Sequence, residues 1–144
     1  MKDLENTLSY LLRNVSLKYR HYAYNLLGKD RWGVSLDLAI YHIAQEKELN
    51  QKDLVIKLNI TPASVSSIVN QMESQGLIER VQDEKDGRRF ILSLTEKGQN
   101  MVSSVVDAWT KIQEETTKGF TENEKATLFQ LLKKLENNLD RLNK

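Results

Sequence analysis

The side chains with chemistry to offer crowd into one stretch, DEKDGRRF at 83–90, where Lys85, Arg88 and Arg89 sit among Asp83, Glu84 and Asp86 around an Asp86-Gly87 pair. Three cations at so short a spacing suit contact with a polyanion, and the neighbouring acids can hold a guanidinium by charge-assisted hydrogen bonds. By itself, such a stretch would be solvated surface whose ion pairs contribute little. The segment before it changes that balance. Residues 61–76, TPASVSSIVNQMESQG, carry a single charge, Glu73, and many hydroxyl and amide groups. With Val65, Ile68, Val69 and Met72 as an apolar helical stripe, Ala63, Ser67 and Asn70 fall on the opposite face, flanked by Ser64 and Ser66 and preceded by Thr61 and Pro62. Small polar side chains allow close approach to a duplex groove and can bond base edges or phosphates. The positive dipole end at the start of such a helix favours phosphate further.

Other chemistries lack their parts. The chain has no cysteine, which removes disulfides, thiolate metal sites and thiol redox sensing. Two histidines, His21 and His42, are too few for an ordinary zinc site. There is no nucleophile elbow, no phosphate-cradling glycine loop and no His/carboxylate cluster, so no catalytic residue, metal or cofactor is expected, and no enzyme.

The elements that must position these residues follow from periodicity. Residues 2–27 carry Leu4, Leu8, Leu11, Leu12, Val15, Tyr19, Tyr22, Ala23 and Leu26 at helical steps, predicting one long helix broken by GKDRWG at 28–33. Ser35 reads as the cap of a second helix, and Asn50 with Asp53 as the cap of a short third one, which Asn59 ends in the left-handed region. Thr61-Pro62 opens the fourth helix and Gly76 closes it. LIERVQ (77–82) and RFILSL (89–94) then switch to strand character around the Asp86-Gly87 turn, predicting a tight β-hairpin. Thr95 caps a long helix, and Thr121 with Glu124 forms a capping box for the last.

Three helices followed by a hairpin make a winged helix-turn-helix, so the expected fold class is mainly α (α+β), with terminal helices whose apolar stripes need a partner. One domain is expected from 144 residues, and one proline with six glycines favours long helices. A net charge of +1, with seven basic and seven acidic side chains between 50 and 100, leaves any grip on nucleic acid to local arrangement. No segment reads as a signal peptide or membrane span, so a cytoplasmic protein without membrane contact is expected.

VSSIVNQMESQGLIERVQDEKDGRRFILSLTEKG resembles the core signature of the multiple-antibiotic-resistance regulator (MarR) family, whose wing runs Asp-x-Arg-Asp-x-Arg and then Leu-x-Leu-Thr-x-x-Gly. Asp83, Asp86, Arg88, Leu92, Leu94, Thr95 and Gly98 match, while Lys85 stands where arginine is usual, keeping charge but not the bidentate fork. The resemblance implies a single MarR-like domain over 1–144, with dimerisation helices in 1–32 and 99–144 and a DNA-binding lobe in 33–98. It further implies a homodimeric repressor of a pseudo-palindromic operator, released by a small apolar or aromatic effector. On this reading Arg88 enters the minor groove, oriented by Asp86, and Lys85 and Arg89 touch phosphate. Tyr22, Tyr24, Trp32, His42 and Trp109 are the candidate effector contacts, although aromatic residues at helical spacing are more often core. The rival reading is a helical dimer whose winged module binds protein rather than DNA.

Overall fold

The helix ends in this chain are set by short polar side chains bonding nearby backbone. A computed structural model describes residues 3–27 and 34–144; the GKDRWG segment, with Trp32, lies outside them. A 3-10 turn at Leu4–Asn6 is followed by α1 (Leu8–Leu27), α2 (Val34–Gln45), α3 (Gln51–Leu58) and α4 (Pro62–Ser74). Then come β1 (Ile78–Gln82), β2 (Phe90–Leu94), α5 (Glu96–Thr116) and α6 (Glu122–Leu142). The fold is mainly helical, with one antiparallel two-stranded sheet among the described residues.

Two helix starts differ from expectation. The first stripe is not one helix: Thr7 is extended (φ −93°, ψ 149°), and its Oγ1 accepts from Tyr10 N at 3.3 Å, so it caps α1 and separates it from the 3-10 turn. A threonine hydroxyl competes with the helical ladder in this way. Ser35 lies inside α2, which begins at Val34, and therefore does not cap it. The other caps form as read. Asn50 Oδ1 accepts from Asp53 N and Asp53 Oδ2 from Asn50 N, both at 2.9 Å. Asn59 takes φ 51° and ψ 47° at the end of α3, where a short amide side chain tolerates the left-handed region. Thr61 Oγ1 accepts from Ser64 N at 3.2 Å, with Pro62 at the first helical position.

These caps bring three apolar faces together. Leu36 and Ile40 of α2, Leu54 of α3, and Val65, Val69 and Met72 of α4 are fully buried, with Leu77, Ile78 and Leu92 of the hairpin region closing the core. Burying each such side chain contributes about 1.5–3 kcal/mol, enough to fix α4 against α2 and α3. The strands pair from Ile78↔Leu94 to Gln82↔Phe90. Leu92 N also donates to Leu49 O at 2.8 Å, which ties the hairpin to the turn before α3.

Between α4 and α5 the chain reverses through Gly76 (φ 70°), and three carbonyls in a row are bonded by the start of α5. Lys97 Nζ donates to Gln75 O at 2.8 Å, Thr95 Oγ1 to Gly76 O at 2.5 Å, and Thr95 N to Leu77 O at 3.0 Å. Gly98 permits this approach, because a Cβ there would fall 2.1 Å from Leu77 O.

The chain divides into two compact units, residues 1–110 and 111–144. In the first, α1 buries only Ala23 and Leu27 and leaves Leu8 (76%), Leu11 and Val15 exposed. In the second, Gly119 (φ 85°) turns the chain into α6, held by the Thr121–Glu124 capping box. α6 buries no residue and exposes Phe129, Leu131, Leu132, Leu139 and Leu142 (79%). Among the described residues no helix is long and apolar enough to cross a membrane.

Candidate nucleic-acid interface

Burial of Val65, Val69 and Met72 turns the opposite side of α4 to solvent. Thr61, Pro62, Ala63, Ser64, Ser67 and Asn70 are all exposed, while Ser66 is half-buried at the edge of the face. Thr61 Oγ1 also donates to Ser64 Oγ at 2.9 Å, so the hydroxyls at the helix start are held together. The face is neutral, small and hydrogen-bonding, and it lies next to the positive dipole end of α4.

The wing is not the tight two-residue turn that Asp86-Gly87 suggested. The strands end at Gln82 and Phe90, leaving a seven-residue loop, 83–89, and Gly87 is not among the positive-φ residues. Two aspartates shape the loop instead. Asp83 Oδ1 accepts from Lys85 N at 2.9 Å, and Asp86 Oδ1 accepts from Arg88 N at 3.0 Å. Asp83 N donates to Arg89 O, and Arg89 N to Asp86 O, closing its base. Gln82 Nε2 donates to Gly87 O at 2.6 Å across it. Aspartate side chains bonding backbone two residues on are a usual substitute for positive-φ turn residues.

This corrects the expected role of Asp86, which orients the backbone at Arg88 rather than its guanidinium. Among the described residues the Arg88 guanidinium has no hydrogen-bond or ion-pair partner and stands free in solvent. Lys85 and Arg89 lean back toward the helices. Lys85 Nζ lies 3.5 Å from Glu48 Oε1, and an Arg89 terminal nitrogen 3.8 Å from the capping carboxylate of Asp53. Both pairs are long and solvent-exposed, so breaking either costs little.

Arg80 is a residue that the sequence reading did not place at this face. Its Nε lies 3.1 Å from Glu73 Oε2, and its Nη2 donates to Asn70 Oδ1 at 2.7 Å, which sets a guanidinium against the outer side of α4. Strand alternation from buried Ile78 carries the signal, since Arg80 shares that inner side of the hairpin and the core ends before it.

The described aromatic candidates lie on α1, α2 and α5 and differ in exposure. Tyr22 and His42 are half-buried, Tyr24 is exposed, and Trp32 is outside the described residues. His42 packs edge-on against Tyr41, with ring centroids 5.5 Å apart. Burial, and then Lys57, lower its pKa below the ordinary histidine value, with Glu46 acting in the opposite direction. The buried Trp109 Nε1 has no hydrogen-bond partner among the described residues. Among the described residues no three His, Cys, Asp or Glu are grouped to hold a metal ion.

Residues 38–90 match the family profile described as MarR family. The chain is 30% identical over 105 residues to the HTH-type transcriptional regulator BilQ of Clostridium symbiosum, covering 72% of this chain and 73% of that one. Among solved structures it is similar to one of Bordetella bronchiseptica BpsR, described in terms of regulation of that protein's DNA binding by 6-hydroxynicotinic acid. The TM-score is 0.87 at 18% identity, covering 94% of this chain and 97% of that one. An S. aureus MepR–DNA complex is similar at a TM-score of 0.81 and 24% identity, covering 95% of this chain and 99% of that one.

Proposed function

Because this chain belongs to the MarR family of DNA-binding transcriptional regulators, and not to an enzyme family, we propose that it is a cytoplasmic homodimeric repressor of a pseudo-palindromic operator. Each protomer lays α4 in a major groove and reaches the flanking minor groove with its wing. The observation that carries this is the exposed, uncharged face of α4, with the unpaired Arg88 guanidinium on the wing that follows it. Thr61, Pro62, Ala63, Ser64, Ser66, Ser67 and Asn70 meet the groove. Arg88 is drawn to the negative potential of a narrow minor groove, and Lys85 and Arg89 exchange their weak carboxylate partners for phosphates. Dimerisation is supported by the bare apolar stripes of α1 and α6, which would otherwise face water. On this reading residues 1–32 and 99–144 supply the dimer helices and 33–98 the DNA-binding lobe. Two lobes engage together only when their α4 helices are spaced by about one turn of duplex, roughly 34–36 Å.

The effector is a small apolar or aromatic molecule that favours a dimer with the wrong spacing. The unsatisfied indole N–H of Trp109 supports one bearing a hydrogen-bond acceptor, with Tyr22, Trp32 and His42 as further contacts. BpsR, whose DNA binding is regulated by such an aromatic acid, is a precedent from a structural neighbour.

The test is selection of bound duplexes from a random library, followed by isotherms for the parent and Ser67→Glu, with and without a panel of aromatic acids. The parent is expected to select a two-fold sequence, and Ser67→Glu to lose it without losing the dimer. Effective acids should raise the operator Kd. A parent that retains no duplex at low salt refutes the DNA reading and favours a winged module that binds protein.

A further inference from the structure

α4 has no cation of its own, yet Arg80 holds a guanidinium against its outer side from β1. The two residues that hold it, Asn70 and Glu73, lie almost one turn apart on α4, and Glu73 is the only charge on that helix. A guanidinium has five N–H donors in a fixed plane. The bonds to Glu73 and Asn70 engage Nε and Nη2 and leave the Nη1 edge uncommitted. The arm is thereby pinned at two points before any ligand arrives, so little side-chain entropy remains to be lost on contact. Asn70 is altered as well. With its amide oxygen accepting from Arg80, it turns outward mainly as a donor, unlike an asparagine free to accept and donate at adenine.

From this geometry we infer that Arg80 is a specificity-determining residue of the interface, reading a guanine edge through its O6 and N7, with Glu73 and Asn70 as its positioning residues. The inference rests on the DNA-binding reading above and adds the base and the side chain that reads it. A fixed plane suits a base edge, because two parallel N–H bonds must meet two acceptors that are themselves fixed in the plane of the base. Glu73 has a second effect: its carboxylate offsets the added cation, so Arg80 contributes selectivity without raising attraction to every duplex.

The test uses the full chain. Duplex selection is run on the parent, Arg80→Ala, Arg80→Lys and Glu73→Gln, and isotherms are then measured on the selected and a scrambled duplex at several salt concentrations. The parent consensus is expected to hold a guanine in each half-site, and both Arg80 variants should lose that preference. Arg80→Ala should bind the selected duplex roughly ten- to hundredfold more weakly, the usual range for one bidentate base contact, with the scrambled duplex changed by less than about threefold. Arg80→Lys keeps the charge but not the fork, so it should retain scrambled binding and still lose the guanine. Glu73→Gln should tighten scrambled binding and narrow the ratio between the two duplexes.

Equal losses on both duplexes, with a salt slope reduced by about one, would make Arg80 a phosphate contact and overturn the inference. So would an unchanged consensus in Arg80→Ala. Thermal melts of each variant, together with the charge-preserving Arg80→Lys, separate these outcomes from a folding defect. A parent that selects no duplex fails the DNA reading itself, whereas a selecting parent with an indifferent Arg80→Ala fails only this inference.

Discussion

Gly98→Ala ought to stabilise a helix by about 1 kcal/mol on propensity alone. Here it is expected to do the opposite. The added Cβ would lie 2.1 Å from Leu77 O and 3.1 Å from both Leu77 C and Leu94 Cδ2, where 3.0 Å is the closest that real Cβ atoms come. The first obstacle is backbone and cannot rotate aside. Relief requires the start of α5 to move off Leu77 by about 1 Å, an overpacking strain of about 1–3 kcal/mol. The same movement stretches the 3.0 Å bond from Thr95 N to Leu77 O, and an unmade bond there costs another 1–3 kcal/mol or so. After the propensity gain the net loss is about 1–5 kcal/mol, and the midpoint of about 3 kcal/mol lowers Tm by roughly 10 °C for a chain of this size.

The comparison is Gly76→Ala, where no atom lies within 4 Å and only the φ of 70° is unfavourable. That strain is about 1–2 kcal/mol, so its Tm should fall by less. Paired thermal melts at one protein concentration decide the matter. A Gly98→Ala protein that melts at or above the parent, or that loses less than Gly76→Ala, would refute the steric argument.

Two further perturbations bear on the wing and on pH. Asp86→Ala and Asp86→Asn remove the same charge, but only asparagine keeps an oxygen for Arg88 N, so Asn should bind duplex severalfold more tightly than Ala, a difference of about 1 kcal/mol. Equal affinities would mean that the loop needs no such bond. His42, with its folded pKa held below 6.5 chiefly by burial, binds a proton less readily than in the unfolded chain. Its contribution to stability is therefore intact above that value and is eroded as pH falls below it. Melts from pH 7.5 to 5 should show the parent losing more than His42→Gln, and equal losses would refute the assignment.

What the sequence disclosed depended on how local each signal was. The Asn50–Asp53 and Thr121–Glu124 boxes, the left-handed Asn59 and the Thr61-Pro62 start are satisfied within four residues of themselves, and all form as read. Thr7 was hidden because the leucine period runs straight through it, while its hydroxyl, not the period, decides where α1 begins. In the wing, Asp-Gly pointed to a two-residue turn, but the flanking aspartates had more to bond than the glycine had to relax. The exposed polar face of α4 was legible from its apolar stripe. The contact of Arg80 with Asn70 and Glu73 joins β1 to α4, and only the packing of that strand against the helix brings those groups together.

The bonded corner between α4 and α5 has a mechanical consequence. The carbonyls of Gln75, Gly76 and Leu77 are held by Lys97 and by Thr95, the residue before α5, and Gly98 lets the two backbones touch, so the corner has little slack in which to bend. α5 spans 21 residues, about 30 Å at 1.5 Å per residue. A rod of that length, tilted by about 5°, sweeps its tip through roughly 3 Å, close to one base-pair step. In the dimer proposed above, leverage of this kind would turn a displacement too small to disturb packing into a phase error between two reading heads on a helical ruler. On that proposal the corner serves as a gear with no backlash, and loosening it would weaken the coupling of effector to operator.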